Sequence, residues 1–396
     1  MSATATAGPV AVRHRSDRSA AATAALRPVG QRPGAFGRVQ LVGVEVGVAG
    51  SAVAALTGSV AVVPAAVAGS IGLVALLVTL SRAGGRWAYQ AVGLRMALRR
   101  RRRTWAAGEL APGLLVHDHD DRGRPVGIGQ DDQGWFAAVR IGVPGEMLAD
   151  AGQRVGLDRL LRMLDEGGTR PSALQLVNLR MSAPSSLLVA GSPAARSHLE
   201  LMGQAQVPAV DLSWIAIRLD PADAIQAASD RGGGTDGVHR TLAALVARLA
   251  KQLTSAGVPH EVLDAAALSD AVRTSCGTAG TAAVAQAESP RAWDVDGRRH
   301  VAFEVERWPA PLHPALLQEL GNAPVDRVIV SVVVRNRSGA VGLRGTVGVL
   351  AAPDRVDGAV QVVKDKAATV GVRLRPLHHQ HRPAVYASAP TGGGAW

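Results

Sequence analysis

The chain of 396 residues carries 43 Lys and Arg against 32 Asp and Glu, a formal net charge of +11, with a single cysteine. Residues 1–103 hold 14 Arg against only Asp17 and Glu45, a net of +12, so the other 293 residues balance to −1. A near-neutral remainder speaks against a nucleic-acid binder, which would carry its basic surface on the folded domain, and a lone Cys276 excludes an internal disulfide or a zinc–cysteine site.

Residues 1–37 form a Ser/Thr/Ala/Arg tail with Pro9, Pro28 and Pro33, a composition that predicts disorder. From Val46 to Ser81 there is then no charged residue in 36 positions. One membrane helix needs about 20 apolar residues, so segment 38–81 predicts a two-helix transmembrane hairpin, over 39–61 and 65–81, with Pro64 at the turn. Arg13, Arg15, Arg18, Arg27, Arg32 and Arg38 precede the run, and further arginines follow it, whereas its middle has none. By the positive-inside bias this predicts a multi-pass inner-membrane protein with both termini cytoplasmic. A signal peptide does not fit, because 38 residues precede the first span and a second apolar run follows any cleavage point.

Within this segment Gly43 and Gly47 make a small-xxx-small pair, a pattern that permits close helix packing in lipid. Glu45 stands near enough to the end of the first span to snorkel. Residues 82–109 read as a basic juxtamembrane segment. Its anchor residues are Arg82, Arg86, Trp87, Tyr89 and the unbroken run Arg99, Arg100, Arg101, Arg102 and Arg103. Trp87 and Tyr89 suit an interfacial aromatic belt. The arginine run suits a stop-transfer signal touching anionic lipid head groups at about 1 kcal/mol per residue.

Residues 110–390 predict a cytoplasmic α/β domain, in two lobes joined near 230–237. Strands are expected over 135–142, 173–180, 214–219, 293–306, 325–335, 343–351 and 372–377, with Asp296–Gly297 as a hairpin turn. Helices are expected over 147–164, 221–229, 238–256, 261–274 and 357–371. The helix over 238–256 is marked by Leu242, Leu245, Leu249 and Leu253, with Gly257 just past its end. The tail from Pro383 reads as loop, and no internal repeat stands out.

Chemistry-bearing residues are sparse. His117, Asp118, His119, Asp120 and Asp121 are the densest group of potential metal ligands, and Asp118 with Asp120 has the bare Asp-x-Asp spacing of nucleotide-sugar enzymes. The adjoining Arg122-Gly-Arg-Pro125 has loop composition, so a solvated turn is the simpler reading. His378, His379 and His381 make a second, weaker group. There is no Gly-x-x-x-x-Gly-Lys-Ser/Thr loop, no Gly-x-Ser-x-Gly elbow and no Gly-x-Gly-x-x-Gly after a strand. Neither a catalytic residue nor a cofactor is therefore expected.

These parts resemble the EccE family, a membrane component of the actinobacterial type VII (ESX) secretion system. The stretches that carry the resemblance include Gly134-Trp-Phe-Ala-Ala-Val-Arg-Ile-Gly142, Gln175-Leu-Val-Asn-Leu-Arg180 and Trp214-Ile-Ala-Ile-Arg-Leu219. The others are the Leu242–Leu253 helix and Trp293 through the hairpin to Arg307-Trp-Pro309. The resemblance implies a scaffold subunit of an inner-membrane complex with EccB, EccC and EccD, and a glycosyltransferase-like fold without known activity. Two alternatives are a membrane-anchored glycosyltransferase-like enzyme holding a metal at Asp118 and Asp120, and a membrane-anchored adaptor unrelated to secretion.

Overall fold

The computed structural model describes residues 82–83, 86–105, 109–142, 169–181, 210–278, 286–309, 316–321, 323, 325–337 and 340–394, with Arg27, Pro28 and isolated positions between Glu45 and Val74. The chain divides into two compact units, one of residues 30–105 and one of residues 1–29 and 106–396. Strand β1 (Arg27–Pro28) belongs to the larger unit. The smaller unit holds β2 (Arg82–Ala83), β3 (Arg86–Trp87) and the helix α1 (Ala88–Thr104).

The rest of the larger unit runs β4 (Leu115–Asp121), β5 (Arg124–Asp131), β6 (Gly134–Ile141), β7 (Ala173–Met181) and β8 (Val210–Leu219). It continues with α2 (Pro221–Ser229), α3 (Gly234–Ser255), β9 (His260–Val262), α4 (Ala265–Cys276), β10 (Gln286–Glu288), β11 (Trp293–Val295) and β12 (Arg298–Arg307). It closes with α5 (Leu316–Gly321), β13 (Arg327–Arg337), β14 (Ala340–Ala351), α6 (Val356–Thr369), β15 (Arg373–Pro376) and α7 (His381–Ser388).

Thirteen strands share one sheet in the order β10-β11-β12-β14-β13-β7-β8-β6-β5-β4, with β15 beside β12, β9 beside β6 and β1 beside β14. Apart from the two-residue parallel contact of β1 with β14, its pairings are antiparallel. The reason is local. Two-residue connections join β4 to β5, β5 to β6 and β11 to β12. Arg122 and Gly123, like Asp296 and Gly297, have positive φ, the conformation of the tight hairpin turns that match strand twist. A parallel pair would need a crossover of a dozen or more residues.

The sheet is internally duplicated. In the first half β5, β6, β7 and β8 lie in the order β5-β6-β8-β7; in the second β11, β12, β13 and β14 lie in the order β11-β12-β14-β13. The halves meet through β7 and β13, around the pair Val177 and Ser331. Each half then adds a helix, a short strand and a second helix, α3-β9-α4 and α6-β15-α7. The correspondence extends to single bonds. Gly257 (φ 66°) and Gly371 (φ 73°) end α3 and α6 in the left-handed conformation. The next residues donate back to the helix ends, Val258 N to Leu253 O at 3.0 Å and Val372 N to Ala367 O at 2.8 Å. Leu263 N donates to Ala138 O at 3.2 Å, and Leu377 N donates to Ala302 O at 3.0 Å.

One face of the sheet is covered by α2 and α3 over the first half and by α5 and α6 over the second. The leucines Leu242, Leu245, Leu249 and Leu253 are all buried there, as their helical spacing requires. The opposite face carries a central core in which α4 and α7 pack on Phe136, Val177, Trp214 and Ile329, with Trp293 beneath.

Several expectations are corrected. Among the described residues no helix is long and apolar enough to cross a membrane, so the expected N-terminal two-helix hairpin over 38–81 is not shown. Only Glu45, Val48, Ala49, Ala52, Val67, Ser70, Leu73 and Val74 of that segment are described, and Gly43 and Gly47 lie outside the described residues. Absence of charge does not by itself give a helix of spanning length, although these described positions are helical. The α/β domain in two glycosyltransferase-like lobes is replaced by one continuous, mostly antiparallel sheet, and 230–237 is the short link from α2 to α3 with the first turn of α3, rather than a joint between two lobes. Residues 117–121 are strand, not loop, and the expected 261–274 helix is β9 followed by α4. The tail from Pro383 is helix α7 and a buried segment reaching Gly394. The helix expected over 147–164 lies outside the described residues.

Candidate functional site

The anchor residues of the 82–109 segment gather on the small unit. Arg82 pairs with Trp87 and Ala83 with Arg86 across β2 and β3. Helix α1 begins after Trp87, whose backbone N–H donates to the Gln90 side chain at 3.3 Å. Trp87 and Leu98 are buried, whereas Tyr89 is half-buried. Arg99, Arg100, Arg102 and Arg103 are exposed and Arg101 partly so, with Val92 and Met96 exposed one to two turns earlier. Arg101, Arg102 and Arg103 occupy the last helical turn, where cations complement the carbonyl end of the helix dipole. Trp87 is thus a packing residue, while the arginines present a cationic surface.

Each carboxylate of the Asp-x-Asp pair accepts a backbone N–H within the fold. Asp118 Oδ1 accepts the Ala265 backbone N–H at 2.7 Å, and Asp264, the N-cap of α4, accepts that of Ala267 at 2.7 Å. The two carboxylates together satisfy donors at the start of α4. Asp120 Oδ1 accepts the Gly123 N–H at 2.6 Å and closes the β4–β5 turn. Asp296 holds its own turn (φ 49°) and Asp294 pairs with Arg299 Nε at 2.6 Å.

His381, His300 and Cys276 are core residues. His381 is fully buried and its Nδ1 accepts the Ala302 N–H at 3.1 Å. Burial, with His378 and His379 nearby, holds His381 down at about 3. His300, against the Cys276 carbonyl at 3.0 Å, is likewise lowered to about 3, mainly by burial. Burial pushes the Cys276 thiol up to about 12, which makes it an unreactive core residue.

Sequence reasoning missed a buried polar seam that pins the C-terminal segment to the sheet. Arg218 on β8 and Asp131 at the end of β5 pair bidentately with no exposure of either side chain. Tyr386 Oη on α7 donates to Asp131 Oδ2 at 2.9 Å, and Arg218 Nη1 donates to the Thr391 carbonyl at 2.9 Å. Beside them Gln175 Nε2 donates to Ser331 Oγ at 2.7 Å and to the Ala387 carbonyl at 2.8 Å, while its Oε1 accepts the Gly393 N–H at 3.1 Å. Arg335 closes the seam, donating to Gly393 O at 3.1 Å and reaching Asp220 Oδ2 at 3.4 Å. A Cβ on Gly394 would stand 2.5 Å from Arg218 Nη1, so the tail needs glycine at that approach. The available signal was one arginine inside the apolar strand Trp214–Leu219, on the side shared with Trp214 and Ala216.

The model of the family described as "Putative type VII ESX secretion system translocon, EccE" matches residues 207–305. That segment begins just ahead of β8 and ends within β12, taking in Arg218, α2, α3, α4 and the β11–β12 hairpin. No curated protein matches the chain. Over residues 207–305 the chain is therefore similar to the EccE family of the type VII ESX secretion system.

Proposed function

We propose that the chain is a non-catalytic scaffold subunit of the type VII secretion membrane complex. In this reading the duplicated sheet supplies a rigid partner surface, and α1 holds the chain against the cytoplasmic face of the cell membrane. Its partners are the membrane subunits EccB, EccC and EccD, together with anionic lipid head groups. The observation that carries the reading is where the polar groups of the larger unit are spent. Asp118, Asp120, Asp131, Arg218, Gln175, His300 and His381 each satisfy a neighbour inside the fold. On α1, Arg99, Arg100, Arg102 and Arg103 are exposed together at one helix end. Anionic lipid attracts such residues by about 1 kcal/mol each.

The test is co-sedimentation of the full chain with vesicles containing phosphatidylglycerol. Replacing Arg99 through Arg103 with Gln removes about 5 kcal/mol of attraction on that scale. The variant is expected to bind at least about 100-fold more weakly, with binding to neutral vesicles unchanged. Wild-type affinity for anionic vesicles in the variant would refute the role given to α1.

A further inference from the structure

Strand β4 alternates His117, Asp118, His119 and Asp120, and its period of two puts the imidazoles on one face and the carboxylates on the other. The carboxylates are occupied with the α4 N-terminus and the β4–β5 turn. The imidazoles meet a third one. The ring of His239, on α3, lies with its centroid 4.6 Å from that of His117 and 5.7 Å from that of His119. His239 is only 9% exposed, and its buried Nε2 has no hydrogen-bond partner. An unsatisfied buried polar atom costs about 1–3 kcal/mol. The packing of α3 on the sheet holds it there, because its neighbours Val238 and Leu242 are core residues.

Three convergent rings suit a metal. A tetrahedral Zn²⁺ with Zn–N bonds of about 2.0–2.1 Å holds the centroids of its imidazole ligands about 5 Å apart, between the two separations observed. Among the described residues no three His, Cys, Asp and Glu side chains already stand at ligand distances. Rotation of the half-buried His117 and His119 rings toward His239 closes the set. Burial, then His117 and His119, lower the pKa of His239, against a smaller opposing pull from Asp236.

The geometry points to a three-histidine site, His117, His119 and His239, for a divalent transition metal of the zinc class. The fourth coordination position is open to water, as in three-ligand zinc sites. Bound metal ties the edge strand β4 to α3. Imidazole ligands suit zinc, copper, nickel and cobalt rather than magnesium or calcium.

The test uses the full chain, stripped with chelator and titrated with Co²⁺ and then Zn²⁺. One equivalent of Co²⁺ should bind with the visible absorption of a tetrahedral nitrogen-ligated ion, and Zn²⁺ should displace it. Loss of a second-shell partner alone costs 10–100-fold in affinity, so His239→Gln and, separately, His117→Asn should each weaken binding by roughly 100-fold. His117 is part-exposed on an edge strand, so its variant folds even if His239→Gln does not. A variant carrying both His378→Gln and His379→Gln should bind as wild type. Absence of saturable binding, binding retained in His117→Asn, or loss in the His378 and His379 variant would each overturn the assignment.

Discussion

Arg218 and Asp131 face each other across an intervening strand, since β6 lies between β8 and β5, and neither side chain is exposed. Tyr386 and the Thr391 carbonyl complete their hydrogen bonding from the C-terminal segment. Charge that deep is tolerated because the pair is bidentate and Arg218 Nε stands 3.4 Å from Asp220 Oδ1.

Breaking the pair should therefore be costly, whereas replacing it should not. Arg218→Met leaves Asp131 buried beside Tyr386 and is expected to lose about 3–5 kcal/mol in urea unfolding. Adding Asp131→Leu should recover most of that loss, because an apolar pair of similar volume carries no desolvation penalty. Tyr386→Phe removes one bond to a charged acceptor and should cost about 1.5–3 kcal/mol. A single Arg218→Met variant as stable as wild type would contradict the seam.

Stability should fall on mild acidification. His300 and His381 are held at about 3 in the folded chain, against about 6.5 when unfolded. Below pH 6.5 the unfolded state binds protons that the folded state refuses, so stability is full above 6.5 and drains away between 6.5 and 3. Each histidine contributes a slope approaching about 1.4 kcal/mol per pH unit in that window. Urea midpoints measured at pH 7.5, 6 and 5 should fall progressively, and a flat profile would show that these rings accept protons without unfolding.

The duplication makes a paired prediction. Gly257 and Gly371 end α3 and α6 at φ 66° and 73°. Alanine in the left-handed region costs about 1–2 kcal/mol. Gly257→Ala and Gly371→Ala should destabilise by similar amounts in thermal or urea unfolding. A large cost at one and none at the other would mean that the two helix ends are not equivalent.

Much of this sheet was legible because its strands are apolar or alternate in hydrophobicity, as in Trp214–Leu219 and Val328–Val334. Helix α3 was legible from its leucine spacing, and the β11–β12 hairpin from Asp296–Gly297. Strand β4 was not, because its His–Asp alternation has no apolar face to reveal the period of two. Helix α7 was hidden by Pro383 and its polar neighbours, which are buried here by tertiary packing. The repeat escaped notice because equivalent positions share backbone roles and not side chains: Phe136 corresponds to His300, and Arg218 to Leu350, across the β6–β8 and β12–β14 registers. The seam was equally invisible, since Asp131, Arg218 and Tyr386 are brought together only by strand order.

The scaffold reading is tested most directly by what the full chain brings with it from the membrane. Affinity purification of a tagged full-length chain, from detergent-solubilised membranes of cells expressing the whole secretion system, should recover EccB, EccC and EccD in fixed ratio in one large particle on size exclusion. Recovery of the chain alone, under conditions where EccB, EccC and EccD still co-purify with one another, would contradict the account.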